Sequence, residues 1–323
     1  MSVDGRTYIA GHKGMVGSAL VRALQARGEA DLLLRSRRDL DLTRQSDVEA
    51  FFGDENIGRV YLAAARVGGI KANSEQPADF IRENLQVQTN VIHAAQKARV
   101  SRLLFLGSSC IYPRLAEQPM REEALMTGPL EPTNEAYAVA KIAGIKMCES
   151  YRRQYACDFR SVMPTNLYGP NDNFDLASSH VLPALLRKFH QATVAGDGSV
   201  PVWGSGRPRR EFMHVDDMAA ACVHVMELEP DRYWSVASER CSHVNVGTGE
   251  DISIAELAAL IAAASGFDGA IEFDPTMPDG TPRKLLDVGR LRELGWEASI
   301  GLEEGIRRTH EWMTAHWQEI TAD

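Results

Sequence analysis

The chain has 323 residues, 35 Lys+Arg against 44 Asp+Glu and a formal net charge of −9. Its 44% hydrophobic and 24% charged composition excludes global disorder. The acidic balance argues against a nucleic-acid or membrane-surface partner, but leaves room for a small anionic ligand held by local Lys and Arg. At roughly 150 residues per domain, the length predicts about two domains. The five cysteines are odd in number and no pair is spaced C-x-x-C, so neither a disulfide framework nor a metal site is expected. Met1–Arg6 lacks the apolar centre of a signal peptide. No apolar run approaches the roughly 18 residues of a membrane span. A cytoplasmic protein is expected.

Short apolar runs alternate with helical patterns through the first half. Thr7–Ala10 reads as a strand and Met15–Arg27 as a helix; Asp31–Leu34 and Arg59–Ala63 read as strands. A helix is predicted over Pro77–Arg99, then a strand over Leu103–Leu106, a helix from about Glu135 to Tyr155 and a strand over Arg160–Met163. Continuous apolar strands separated by helices predict an α/β fold with a parallel sheet covered on both faces. Beyond it, helices are expected over Val181–Gln191, Val215–Glu227, Ile254–Ala264, Val288–Leu294 and Leu302–His316. Pro201–Trp203 reads as a strand and Gly280–Lys284 as a loop. This mixed half predicts a smaller domain closing over the carboxyl edge of the sheet, where open α/β sheets bind ligands.

Gly11-His12-Lys13-Gly14-Met15-Val16-Gly17 follows the first strand and opens the first helix. Glycines there allow a tight turn, close backbone approach to a pyrophosphate and close helix–strand packing. The helix N-terminus adds free N–H groups and the positive end of its dipole. The context therefore predicts a dinucleotide site. Leu34 is followed by Arg35-Ser36-Arg37-Arg38, with Asp39 late and Lys13 in the glycine loop. Cations suit a ribose 2′-phosphate, so NADP(H) is expected rather than NAD.

Leu106-Gly107-Ser108-Ser109-Cys110 ends a strand, and Tyr137-Ala138-Val139-Ala140-Lys141 opens a helix. Residues i and i+4 share a helix face, so Tyr137 and Lys141 point the same way. An ammonium beside the phenol is expected to lower its pKa towards neutrality. Ser108 is placed to hydrogen-bond the same substrate oxygen.

Longer strings carry more. They include Ala63–Ile70, Phe105–Pro113, Glu131–Glu135, Pro164–Pro170, Arg210–Asp217 and Pro278–Lys284. On these, almost end to end, the chain resembles the GDP-L-fucose synthase family of extended short-chain dehydrogenase/reductases. Coverage is weakest at Pro230–Cys241 and the terminal tail. Lys13 and Lys188 stand where some relatives carry Arg; both remain cationic.

The resemblance implies a Rossmann-type doubly wound parallel sheet with a second, smaller mixed α/β substrate domain. Residues 1–168 would hold the cofactor and 169–323 mainly the substrate, with segments near 211–250 returning to the first domain. It implies 3,5-epimerisation of a GDP-4-keto-6-deoxy sugar, then NADPH-dependent reduction at C4″. Its catalytic residues would be Ser108, Cys110, Tyr137, Lys141 and His180, with Cys110 and His180 the epimerisation acid/base pair. Its cofactor contacts would be Gly11, His12, Lys13, Gly14, Met15, Val16 and Gly17, then Arg37, Arg38, Asp39, Leu40, Asp41 and Leu42. They continue with Leu106, Gly107, Ser108 and Ser109, with Lys141, with Pro164, Thr165, Asn166 and Leu167, and with His180. Substrate contacts would be Lys188, Trp203, Arg210 and Asp279. A homodimer through the Asn84–Arg99 and Tyr137–Tyr155 helices is implied as well. The competing readings are a nucleotide-sugar 4-epimerase or 4,6-dehydratase holding NAD, and a non-catalytic dinucleotide sensor. The dehydratases resembling this fold place acidic residues where Ser109-Cys110 stand. A sensor should lack Tyr137 or Lys141, and both are present.

Overall fold

The computed structural model describes residues 5–322 except Ala177 and Pro278. Met1–Asp4, part of the segment read above for signal-peptide character, and Pro278, which opens the Pro278–Lys284 string, lie outside the described residues, as does the side chain of Ile70.

Six strands form one parallel sheet, in the order His243–Val246, Asp158–Pro164, Arg102–Leu106, Ile57–Leu62, Arg6–Ala10 and Leu32–Leu33. The order in which the chain adds strands reverses between Arg6–Ala10 and Ile57–Leu62, which remain parallel. Such a reversal opens a crevice at the carboxyl ends of the strands. Successive side chains alternate between faces. Tyr8, Val60, Leu103 and Phe105 face one way, towards helices Gln45–Asp54, Pro77–Lys97 and Glu135–Tyr155. Ile9, Tyr61, Leu104 and Val162 face the other, towards helices Met15–Ala26 and Val215–Glu227. Each such fully buried side chain contributes about 1.5–3 kcal/mol of apolar transfer. The packing leaves no slack at Gly144, where a Cβ would run into the Phe105 ring.

A third core gathers Phe174, Leu186, Phe189, Val200, Leu257 and Ile261. It is built by helices Val181–Ala195, Ile254–Ser265 and Leu302–Ala315 and the parallel pair Ser199–Trp203 and Ala270–Asp274. Two polypeptide crossings tie it to the first region. Asn166–Tyr168 pairs with Phe212–His214, and His243–Val246 returns to edge the main sheet.

Val215–Glu227 is a helix with the predicted ends. Helix Gln45–Asp54, absent from the sequence reading, fully buries only Val48 and Phe52, with Phe51 packed beside them, too few for a clear periodic stripe. Asp31–Leu34 shrinks to the pair Leu32–Leu33. The predicted Gly280–Lys284 loop ends in a strand, Arg283–Lys284, which pairs in parallel with Arg209–Arg210. Among the described residues, no helix is long and apolar enough to cross a membrane.

Candidate active site

The glycine loop sits at the crevice where the strand order reverses. Gly11 has φ +83°, and a Cβ there would meet Ala64 N at 2.7 Å. A Cβ on Gly17 would collide with the Gly11 carbonyl oxygen. Gly14 has only the Gly11 oxygen near, at 3.5 Å, so its outer face is open to a ligand. The three glycines thus make the turn, the approach and the helix–strand contact that a dinucleotide cradle requires. His12 Nδ1 is buried there without a hydrogen-bond partner. Met15 and Val16 open the helix and lean on the apolar face beneath it.

Beyond the second strand, Arg37 and Arg38 are exposed, and Arg37 has only a 3.9 Å contact with Glu83. Arg35, in contrast, donates to Glu55 at 2.7 Å and lies over Phe51. Asp39 accepts from Ser36 N and Ser36 Oγ at 3.0 and 2.6 Å, and these bonds lower its pKa. Its carboxylate is thereby occupied in its own turn, which leaves Lys13, Arg37 and Arg38 as exposed charges. Asp41 caps Thr43 in the same manner, Leu42 O accepts from Asn90, and Leu40 is buried.

Four of the five predicted catalytic residues meet at the end of strand Arg102–Leu106. Ser108 caps the short turn Ser109–Ile111, accepting from Cys110 N at 3.4 Å. Its side chain also acts on the Cys110 thiol and the Tyr137 phenol, lowering the pKa of both. Gly107 beside it gives room to the end of the Met163 side chain, which a Cβ would displace. Lys141 Nζ donates to Leu106 O at 2.8 Å and lies 5.7 Å from the Tyr137 ring centroid. Tyr137 and Lys141 share a face, as the spacing predicts. The expected fall in the phenol pKa does not occur: burial raises it, Cys110 raises it further, and Ser108 offsets only part. Burial also lowers Lys141 to about 8. Tyr137 is therefore a protonated donor and Lys141 an ammonium that neutralises readily. Burial likewise raises the Cys110 thiol, while Ser108, Lys284 and Lys141 pull it back.

His180 is the N-terminal cap residue of Val181–Ala195, on the opposite wall. It is solvent-accessible yet crowded by protein, as a side chain on a cleft wall is. That crowding lowers its pKa, and the nearby Lys284 charge lowers it further. The loop before it docks on the first domain, with Gly69 N donating to Ser178 O at 3.1 Å. Thr165 Oγ1 and Asn166 Nδ2 donate to Glu211 O, holding Pro164–Leu167 rigid at the next strand end.

The predicted substrate residues line the second region. Lys188 Nζ donates to Pro201 O at 3.3 Å and lies 5.4 Å from the Trp203 ring centroid. Trp203 is 64% exposed, an aromatic face open to a planar ligand. Arg209 and Arg210 part company. Arg209 is committed to Asp251 and Glu256, whereas Arg210 turns towards Asp279 and Gly280. Asp279 accepts from Ser205 N at 2.8 Å and Ser205 Oγ at 2.7 Å, which lowers its pKa. Two residues of this wall escaped the sequence reading: Ser205, and Lys284, whose charge reaches both Cys110 and His180. Lys284 lies inside the Pro278–Lys284 string, which was the available signal. Ser205 had none, since its partner is 74 residues away in the chain.

A parallel sheet with a glycine cradle at its switch point, and a Ser–Tyr–Lys set at the adjoining strand end, define a dinucleotide-dependent enzyme of the short-chain dehydrogenase/reductase type. The match to known proteins is closer. Residues 7–237 fit the NAD dependent epimerase/dehydratase family. A GDP-L-fucose synthase from Escherichia coli (strain K12) is 59% identical over 95% of this chain and 96% of its own. A GDP-L-fucose synthetase from Naegleria fowleri bound to NADP superposes with a TM-score of 0.87 at 25% identity, covering 98% of this chain and 96% of that one. A GDP-mannoheptose C4 reductase from Campylobacter jejuni with NADP bound gives a TM-score of 0.88 at 40% identity, over 97% and 99%. The chain belongs to the NAD dependent epimerase/dehydratase family, and within it to the GDP-L-fucose synthases.

Proposed function

We propose that this chain is a bifunctional NADPH-dependent epimerase–reductase, converting GDP-4-keto-6-deoxy-D-mannose to GDP-L-fucose. One observation carries the reading. Cys110, an ionisable thiol, shares Ser108 with Tyr137, so a proton-transfer group stands inside a reductase site.

The C4″ ketone acidifies the C–H bonds at C3″ and C5″. Cys110 and His180, on opposite walls, exchange protons there: one removes a proton to leave an enolate, the other returns one to the opposite face. Ser108 and Tyr137 hold the ketone oxygen throughout. NADPH, when bound, supplies the hydride for C4″. Tyr137 then gives its proton to that oxygen, and the Lys141 ammonium offsets the negative charge left on the phenolate. Gly11–Gly17 hold the pyrophosphate, with Lys13, Arg37 and Arg38 at the 2′-phosphate. Lys188, Trp203, Arg210 and Asp279 hold the GDP-sugar, Arg210 by the planar fork suited to phosphate.

On this reading residues 1–168 form the cofactor half and 169–323 mainly the sugar half. The protein is cytoplasmic, which the five free thiols support. It is a homodimer, its two-fold formed by the helices Pro77–Lys97 and Glu135–Tyr155. These already pack together through Gln88 Nε2 to Ala140 O, and the second displays exposed Val139 and Tyr155.

The test is to incubate the protein with GDP-4-keto-6-deoxy-D-mannose and NADPH. Oxidation of NADPH with formation of GDP-L-fucose is expected, and no oxidation ends the proposal. A 4-epimerase or dehydratase would instead turn over without net NADPH use. NADPH should bind more tightly than NADH, and the reverse order would reject the assignment of Arg37 and Arg38.

A further inference from the structure

The turn that carries Cys110 is lightly held by its own backbone. Ser109–Ile111 is a single 3₁₀ turn, closed by Ile111 N to Ser108 O at 3.2 Å and capped by Ser108 at 3.4 Å. Both bonds are long, and so short a turn is weak on its own. The chain leaves it at Tyr112 in extended backbone, φ −80° and ψ 149°, the conformation that the following Pro113 favours. Tyr112 is buried. Its hydroxyl reaches the edge strand His243–Val246, on the far side of Asp158–Pro164 in the sheet order. There it meets His243 Nε2 at 3.1 Å and Asn245 Oδ1, two buried residues on one face of that strand.

The protons of this cluster can be counted. Asn245 Nδ2 donates to Met120 O at 3.0 Å and to Asp287 O at 3.1 Å. Both amide protons are thereby spent, and Oδ1 can only accept. Tyr112 therefore donates to Oδ1, and its own oxygen takes the proton on His243 Nε2. The imidazole is neutral, because burial and the Arg290 and Lys146 charges push its pKa down to about 3. Nδ1 is then the bare nitrogen, and it is Nδ1 that is buried without a hydrogen-bond partner among the described residues. The strand is fixed at the same place, with Asn245 N donating to Glu122 Oε1 at 2.9 Å and Arg290 Nη1 to His243 O at 3.3 Å. The phenol is thus gripped by one donor and one acceptor, each with its sense determined.

We propose that Tyr112 is a positioning residue for the epimerisation: its hydroxyl, gripped by His243 and Asn245, fixes the turn on which Cys110 meets the sugar. This rests on the role given to Cys110 above. Ile111 is buried in the apolar core beside it, but apolar burial has no direction. Hydrogen bonds do, and the two on the phenol set the angle at which the turn leaves its strand. The edge strand, returning late in the chain, thereby governs a thiol only two residues from its anchor.

The experiment compares the full chain carrying Tyr112→Phe with one carrying Tyr233→Phe. The second also loses a buried hydroxyl beside the edge strand, but one whose bonds go to Ser161 O and Ser242 O. Both are studied at a temperature where they are folded. Alkylation of Cys110 by iodoacetamide is followed by mass spectrometry of its peptide. Solvent deuterium uptake into GDP-4-keto-6-deoxy-D-mannose is measured without NADPH and resolved into kcat and KM. Tyr112→Phe should speed alkylation several-fold, because the released turn exposes the thiol. It should nevertheless lower kcat for uptake about ten- to hundredfold with KM little changed, the result of displacing a reacting group by up to about 1 Å. Tyr233→Phe should leave both readouts near those of the unaltered chain. Unchanged alkylation in Tyr112→Phe overturns the inference. So does an equal loss of uptake in Tyr233→Phe, which would make the effect one of general stability. Cys110→Ser separates the two readings. Uptake lost there but intact in Tyr112→Phe overturns the inference alone, whereas uptake intact in both overturns the role of Cys110 and the inference with it.

Discussion

The two walls of the cleft are made of different material. The cofactor wall is backbone: Gly11, Gly17 and Gly107 each occupy a place where a Cβ would strike a neighbour. Its parts lie at the ends of adjacent parallel strands, so the sheet sets their spacing. The sugar wall rests more on side chains: Ser205 reaches Asp279 and Lys188 reaches Trp203, beside the short strand pair Arg283–Lys284 and Arg209–Arg210. The first is positioned by an apolar core on both faces. The second is held by a few polar ties across long stretches of chain. Damage to the reactive groups, His180 on the second wall included, should therefore fall on turnover, and damage to the polar ties of the second wall on substrate affinity.

Tyr137→Phe tests the first half of that contrast most severely. It should cut reduction by about 10²–10⁴-fold, the usual scale for a general acid, with NADPH affinity within a few fold. Near-normal NADPH oxidation would remove Tyr137 from the chemistry. Next come Cys110→Ser and His180→Asn, one from each wall. Either should lower solvent deuterium uptake into the keto sugar about 10²-fold. Unchanged uptake in both would leave the cleft a reductase only.

Acidity sharpens the comparison. Lys141 is depressed from its ordinary value to about 8, so it is charged below that pH and neutral above. The reduction rate should fall as pH rises through about 8, by up to tenfold per unit. Tyr137, raised by burial, stays protonated and adds no limb there. Lys141→Arg, which keeps its charge, should flatten the limb; a pH–rate profile with the limb intact would assign it elsewhere. The smallest effect belongs to the sugar wall. Ser205→Ala removes one bond to a charged partner, worth about 1.5 kcal/mol, and should raise the KM for the nucleotide sugar roughly tenfold with kcat unchanged. A fall in kcat instead would mean that the two walls are not separable.

The sequence spoke most clearly where the physics is local. Val215–Glu227 and Glu135–Tyr155 follow from periodicity over a few turns, and the glycine loop from its place between strand and helix. Lys141 beside Tyr137 follows from helical spacing. What stayed hidden depends on partners far along the chain. A two-residue strand such as Arg283–Lys284 has no pattern of its own and exists because Arg209–Arg210 lies alongside. The Tyr137 phenol was misjudged for a related reason. Its helix neighbour is visible in the sequence, but the burial that outweighs that neighbour is assembled from the whole fold.

The return of His243–Val246 to the main sheet has a consequence for how the chain can be cut. The strand lies in register along Ser161–Pro164, pairing with it after some eighty intervening residues have built most of the opposite wall. A fragment ending near Tyr168 would hold every residue of the glycine cradle, yet would leave the outer flank of Asp158–Pro164 as a bare row of peptide donors and acceptors. Such an edge invites the same strand of another copy. The half of the protein that looks self-sufficient on paper would, expressed alone, be the half that aggregates.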